Sequence, residues 1–167
     1  MSIITFNMLN IKIIATGTLK EGYLRDACQE YKKRLGAWAR AEEIELKEEK
    51  LPDNPSRSQI DLALEKEAKA IFEKISNKSY VIAMCVEGKQ LSSEELASKF
   101  EEITSCGKSE ICFIIGSSFG LHKSVKDRAD LKLSVSRLTF PHQLLRVILY
   151  ETTYRSLSIV NGTKYHK

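Results

Sequence analysis

Residues 111–115 (ICFII) put five apolar side chains in a row and stop at Gly116. A strand with one wet face alternates polar and apolar residues, whereas a strand covered on both faces has no need to. The run therefore predicts an inner strand of a parallel sheet. Residues 80–86 (YVIAMCV) repeat the pattern before Glu87, Gly88 and Lys89. A chain with two such strands must also supply helices to cover them.

It does so in alternation. Residues 10–16 (NIKIIAT) read as a first strand closed by Gly17. Leu24, Ala27, Cys28, Tyr31 and Leu35 then recur at helical spacing up to Gly36, with Lys32, Lys33 and Arg34 on the outer face. Residues 43–46 (EIEL) alternate and predict a short second strand. Residues 50–57 hold two of the three prolines and form a loop, the segment expected to be most mobile. A second helix runs through Ile60, Leu64, Ala68, Ile71, Phe72 and Ile75, capped by Ser56 or Ser58. Ser92 and Glu95 form a capping box that opens a third helix, which Gly107 ends. After the central strand come a short helix beginning near Leu121 and His122, a fifth strand within residues 131–136, and a long helix from Pro141 to about Val160. The predicted class is α/β, a mostly parallel sheet with helices on both faces. It forms one domain over residues 1–167, with residues 1–8 an N-terminal extension and Met8 an alternative start.

The long last helix carries Leu144, Leu145, Val147, Ile148, Leu149, Tyr150, Tyr154, Leu157 and Ile159, leaving little polar face. Such a helix requires burial on every side. A symmetric homodimer would provide it, and so would a path deep inside the chain's own fold.

Composition narrows the function. With 43% hydrophobic and 29% charged residues, the chain has the make-up of a soluble globular protein. No apolar run approaches the ~20 residues of a membrane helix, and the N-terminus lacks a basic leader with a cleavage site. A cytoplasmic location is expected. Cys28, Cys85, Cys106 and Cys112 contain no C-x-x-C and read as reduced thiols, not bridges or zinc ligands. His122, His142 and His166 are too scattered for a metal site. Residues 1–106 hold 16 Lys/Arg and 18 Asp/Glu, a net −2, whereas residues 107–167 hold 10 and 4, a net +6. A basic C-terminal part suits a polyanionic partner.

Ligands of open α/β sheets sit beyond the carboxyl ends of the strands, so the turns leaving the third, fourth and fifth strands are the expected site. Gly116, Ser117, Ser118, Phe119 and Gly120 match G-x-S-x-G, the nucleophile elbow of serine hydrolases, with Asp127 or Asp130 and then His142 or His166 downstream. A hydrolase using Ser118 is thus a rival. It lacks an HGGG-type oxyanion segment, and the next helix begins near Leu121 instead of at Ser118. The glycines read better as backbone clearance for a flat ligand. No G-x-G-x-x-G follows the first strand and no P-loop motif occurs.

These residues also carry a resemblance. Ile114-Ile115-Gly116, Gly120-Leu121-His122-Lys123, the run from Leu133 to Gln143 containing Thr139-Phe140-Pro141-His142, then Arg146, Glu151, Tyr154-Arg155 and the terminal Tyr165-His166-Lys167 closely resemble the ribosomal large subunit methyltransferase H family of SPOUT methyltransferases. The likeness spans Leu9 to Lys167. It implies a C-terminal trefoil knot, a homodimer, and S-adenosylmethionine-dependent methylation of 23S ribosomal RNA at N3 of a pseudouridine. Carried over by position, the cofactor residues are Met84, Gly116, Val135, Ser136, Arg137, Leu138, Thr139 and Phe140. The catalytic candidates are Arg146 and Arg155, for RNA or developing negative charge, and Tyr165 with His166 for the base. His142 reads as a helix-start histidine bonded to backbone. The family usually has a second glycine where Ser117 stands and leucine where Met84 stands. A catalytically silent ribosome-binding module is the other rival.

Overall fold

The computed structural model describes residues 8–167, so the expected extension over residues 1–8 lies outside the described residues except for Met8. Ten elements follow in order: β1 (Leu9–Thr16), α1 (Gly22–Leu35), β2 (Ala39–Leu46), α2 (Arg57–Phe72), β3 (Ser79–Gln90), α3 (Ser93–Ser105), β4 (Glu110–Ile115), α4 (Lys123–Arg128), β5 (Leu131–Ser134) and α5 (His142–Val160). The five strands form one sheet in the order β2-β1-β4-β3-β5, and every pairing is parallel.

The non-alternating runs fall on β3 and β4, and both faces of these strands are buried. On one face Ile13, Ile82 and Phe113 meet Cys28 of α1, Phe100 of α3 and Leu149 of α5. On the other Ile14, Val81, Cys112 and Ile114 meet Ala68 and Ile71 of α2 and Val125 of α4. The sheet is thus sandwiched, three helices against two. Ser56 and Ser92 each close a complete capping box, with Gln59 and Glu95 as the third residues; such a cap contributes about 1 kcal/mol.

Three boundaries differ from the sequence reading. β2 begins at Ala39, four residues before the alternation does. It is an edge strand, where Arg40 and Glu42 face solvent without cost. β3 continues past Val86 to Gln90, through an irregularity that re-pairs Lys89 with Leu133. Gly88 permits this: a Cβ there would lie 2.6 Å from the Leu133 carbonyl carbon. β5 stops at Ser134, leaving residues 135–140 as a loop.

The last helix is buried by its own chain along one side, where Arg146, Leu149, Tyr150, Thr153, Ser156 and Leu157 pack toward α1, α3 and the sheet. The opposite side, with Leu144, Ile148 and Ile159, stays partly exposed. Of the two expected routes to burial, the fold itself supplies half. No helix among the described residues is long and apolar enough to cross a membrane.

Candidate active site

Strand register brings three chain segments to one level. Ala83 lies beside Ile114, and Met84 beside Leu133, so β4 and β5 end level with Met84, where the regular part of β3 gives way to its irregularity. Beyond those ends lies a cavity of about 250 Å³. Met84, Gly116, Val135, Ser136, Leu138, Thr139 and Phe140 all line it. Arg137, the remaining expected cofactor residue, is exposed and is not part of the wall.

The loop after β4 is built for closeness. Gly120 has φ of +88°, a conformation costly for any other residue, and its N–H donates to the Ser117 carbonyl at 2.8 Å. A Cβ on Gly116 would collide with the Gly120 carbonyl. The glycine at 116 therefore clears room for the loop's own return, not for a flat ligand as its sequence suggested. Ser118 does not stand on a strand-to-helix elbow. α4 begins at Lys123 with His122 as its cap, and the Ser118 hydroxyl donates to Glu48 at 3.0 Å. The geometry of a serine hydrolase is absent.

The loop of residues 135–140 is shaped by local bonds: Ser134 Oγ donates to the Ser136 carbonyl at 2.8 Å, and Ser136 Oγ accepts the Leu138 N–H at 3.0 Å. These bonds shape the chain without sheet pairing, and five of its six residues line the cavity. Sequence reasoning missed several wall residues. Glu87 and Lys126 stand on the wall as an ion pair, and Lys126 is the leading cause of a lowered Glu87 pKa. Phe119 and Leu121 add apolar surface, and Cys85 joins them with its thiol pushed up by burial. The signal available for Glu87 was its place one residue past an apolar strand. Nothing along the chain announced that Lys126 would meet it. His142 lines the cavity, and no backbone bond holds its ring among the described residues. The carbonyl oxygen of the Gln143 side chain instead accepts the N–H groups of Lys20 and Glu21.

The expected catalytic side chains divide into two groups, neither on the cavity wall. Arg146 is 2% exposed. Its guanidinium donates to Glu43 at 2.8 Å, to Glu45 at 2.5 Å and to the Gly17 carbonyl at 2.6 Å. Tyr150 adds a bond to Glu43 at 2.8 Å. Arg146 thus ties α5 to the ends of β1 and β2, and RNA cannot reach it in this arrangement. Arg155, Tyr165 and His166 do come together. Arg155 Nε donates to Glu151 at 2.9 Å and its guanidinium lies 4.7 Å from the Tyr165 ring centroid. Tyr165 packs edge-on against Tyr154, which stacks on Trp38. His166 Nε2 lies 2.8 Å from Glu94 Oε1, and this bond leads the causes that lower the Glu94 pKa. The tail is therefore docked on the fold. Burial, with bonds to Tyr31 and Glu151, pushes the Tyr165 phenol up to about 12, and its hydroxyl donates to Glu151 at 3.1 Å.

Residues 9–166 match a family model described as "Predicted SPOUT methyltransferase". A protein named ribosomal RNA large subunit methyltransferase H from Clostridioides difficile is 48% identical over 159 residues, covering 95% of this chain and 100% of that one. The chain belongs to the ribosomal RNA large subunit methyltransferase H family. The Bacillus pumilus protein of the same name is 47% identical with the same coverage. A solved structure of a probable methylase family protein from Haemophilus influenzae shares the fold at a TM-score of 0.53, covering 96% of this chain and 71% of that one at 15% identity.

Proposed function

We propose that the chain transfers a methyl group from S-adenosylmethionine to N3 of a pseudouridine in the 23S RNA of the large ribosomal subunit, as a knotted homodimer in the cytoplasm. The observation that carries this is the cavity formed where β4 and β5 end beside Met84 to Glu87 of β3, in a chain whose relatives are named ribosomal RNA large subunit methyltransferase H. The wall residues fit the cofactor. Met84, Leu121, Leu133 and Phe140 offer apolar surface for a base, and the open backbone of residues 135–140 offers donors and acceptors for its polar edge. Glu87 adds a carboxylate suited to the cofactor's cationic groups. When bound, S-adenosylmethionine supplies a methyl group already activated by a positively charged sulfur.

The protein's remaining tasks are alignment and handling of the N3 proton. Of the residues gathered around the docked tail, His166 suits the base and Arg155, on α5, suits negative charge developing on the ring. Neither lines the cavity of its own subunit. Arg155 stands ten residues along α5 from Leu145, which lines the cavity, a rise of about 15 Å. The cavity rim also exposes apolar side chains, Leu138 at 72% and Phe119 at 48%. A volume of about 250 Å³ falls just below the roughly 300–1,000 Å³ of complete ligand sites. All three features are met if a second copy covers the rim and brings its own Arg155 and His166.

The test is methyl transfer from labelled S-adenosylmethionine to ribosomes lacking the modification. Label should enter 23S RNA at one position per ribosome. A chain that binds ribosomes with steep salt dependence but neither binds the cofactor nor transfers label would be the silent module instead.

A further inference from the structure

Glu67 of α2 is 5% exposed, on the sheet face opposite α5. A carboxylate buried so deeply is costly unless its oxygens are engaged. Both are, and by neutral donors. Oε1 accepts the Glu49 N–H at 3.0 Å, and Oε2 accepts the Ser117 hydroxyl at 2.7 Å. Ser117 is itself 2% exposed and sits between Gly116 and the rest of the cavity loop. Next to it, Ser118 donates its N–H and its hydroxyl to Glu48 at 3.2 and 3.0 Å. The loop is thus held from behind by two carboxylates. From the front it is closed by the Gly120–Ser117 bond and by the contact of Gly116 with Gly120. Gly116, Phe119 and Gly120 face the cavity.

We infer that Glu67 is a positioning residue for cofactor binding: its buried carboxylate grips the Ser117 hydroxyl and so holds the Gly116–Gly120 loop in the shape that forms the cavity wall. This rests on the proposed cofactor reading. Ser117 is what makes the grip available, since a glycine at that position offers no hydroxyl. Loss of the bond removes one of the loop's two carboxylate anchors and leaves Ser117 held only by its backbone bond with Gly120. The cost then appears in cofactor affinity, because the loop must be reordered when the ligand enters.

Isothermal titration of S-adenosylmethionine into the full chain and its variants, with thermal melts alongside, tests the inference. Ser117→Ala should weaken binding about ten-fold, the scale of one lost hydrogen bond. Glu67→Ala should weaken it at least as much, and the double variant should be no worse than Glu67→Ala alone. Glu67→Gln should stay within about two-fold of the parent, because its amide accepts from Glu49 and donates to Ser117. The cofactor KM should rise with these losses while the KM for ribosomes stays level, a split that a general loss of stability does not produce. Ser117→Ala removes a single oxygen, so it carries the test even if Glu67→Ala fails to fold. Parent affinity in a folded Ser117→Ala would overturn the inference alone. A parent chain that binds no S-adenosylmethionine would overturn the cofactor reading and the inference with it.

Discussion

Glu45 and Glu67 are driven in opposite directions by their surroundings. Burial raises the Glu45 pKa, but the Leu19 N–H and the Arg146 guanidinium outweigh it, and the net value is lowered. For Glu67 burial dominates, Glu48 and Glu49 add like charge, and the two accepted hydrogen bonds do not compensate, so the net value is raised. A lowered value in the folded state means Glu45 adds stability above the ordinary carboxylate pKa of about 4.3, lost as pH falls through the folded value. A raised value means ionised Glu67 costs stability at neutral pH, and that cost fades as pH falls through the folded value toward the ordinary one. Thermal melts against pH should therefore show Glu45→Gln below the parent at pH 8 and Glu67→Gln level with it or above it. Both differences should close below about pH 4. Variants that shift Tm in the same direction at pH 8 would contradict this. The same scale shows where the sequence stopped short. Seven of the eight residues that the family resemblance implied for the cofactor line the cavity, near the strand ends where the apolar runs stop. Arg146 is a different case. A cation in a greasy helix reads as functional, while its partners, Glu43 and Glu45, lie some hundred positions earlier on a strand whose polar residues gave no hint of them.

At the scale of elements, α5 is the piece that others are fastened to. Its Arg146 joins the ends of β1 and β2, Tyr150 binds Glu43, and Gln143 accepts from the turn before α1. Removing one partner of such a buried network leaves uncompensated carboxylates, so Arg146→Ala should cost about 3 kcal/mol. In a chain of this size that is a fall in Tm of roughly 10 °C. A melt unchanged within 2 °C would mean the network contributes little, as exposed pairs do. Capping boxes and the non-alternating strands were legible because each is a local pattern. The start of β2 and the far end of β3 were not. An edge strand needs no apolar run, and the extension of β3 depends on Leu133 lying against Gly88, a contact between distant segments.

For the whole molecule, the alternation of strands and helices was enough to give a parallel sheet with two covered faces, but not the order of its strands. That order, β2-β1-β4-β3-β5, sets β4, β3 and β5 side by side and makes one cavity from the turns after β4 and β5 and the irregular part of β3. It also leaves the docked tail away from the cavity in its own subunit, so the account requires a second copy. Co-expression of two inactive variants tests this most directly. One is Val135→Trp, which fills the cavity from a partly exposed position; the other combines Arg155→Ala with His166→Ala. If each tail serves the neighbouring cavity, the mixed dimer holds one intact site, made of the parent cavity of the second variant and the parent tail of the first. Ribosome methylation should then reappear in the mixture although each variant alone shows none. A mixed dimer, verified by two affinity tags, that remains as inactive as its parents would contradict the account.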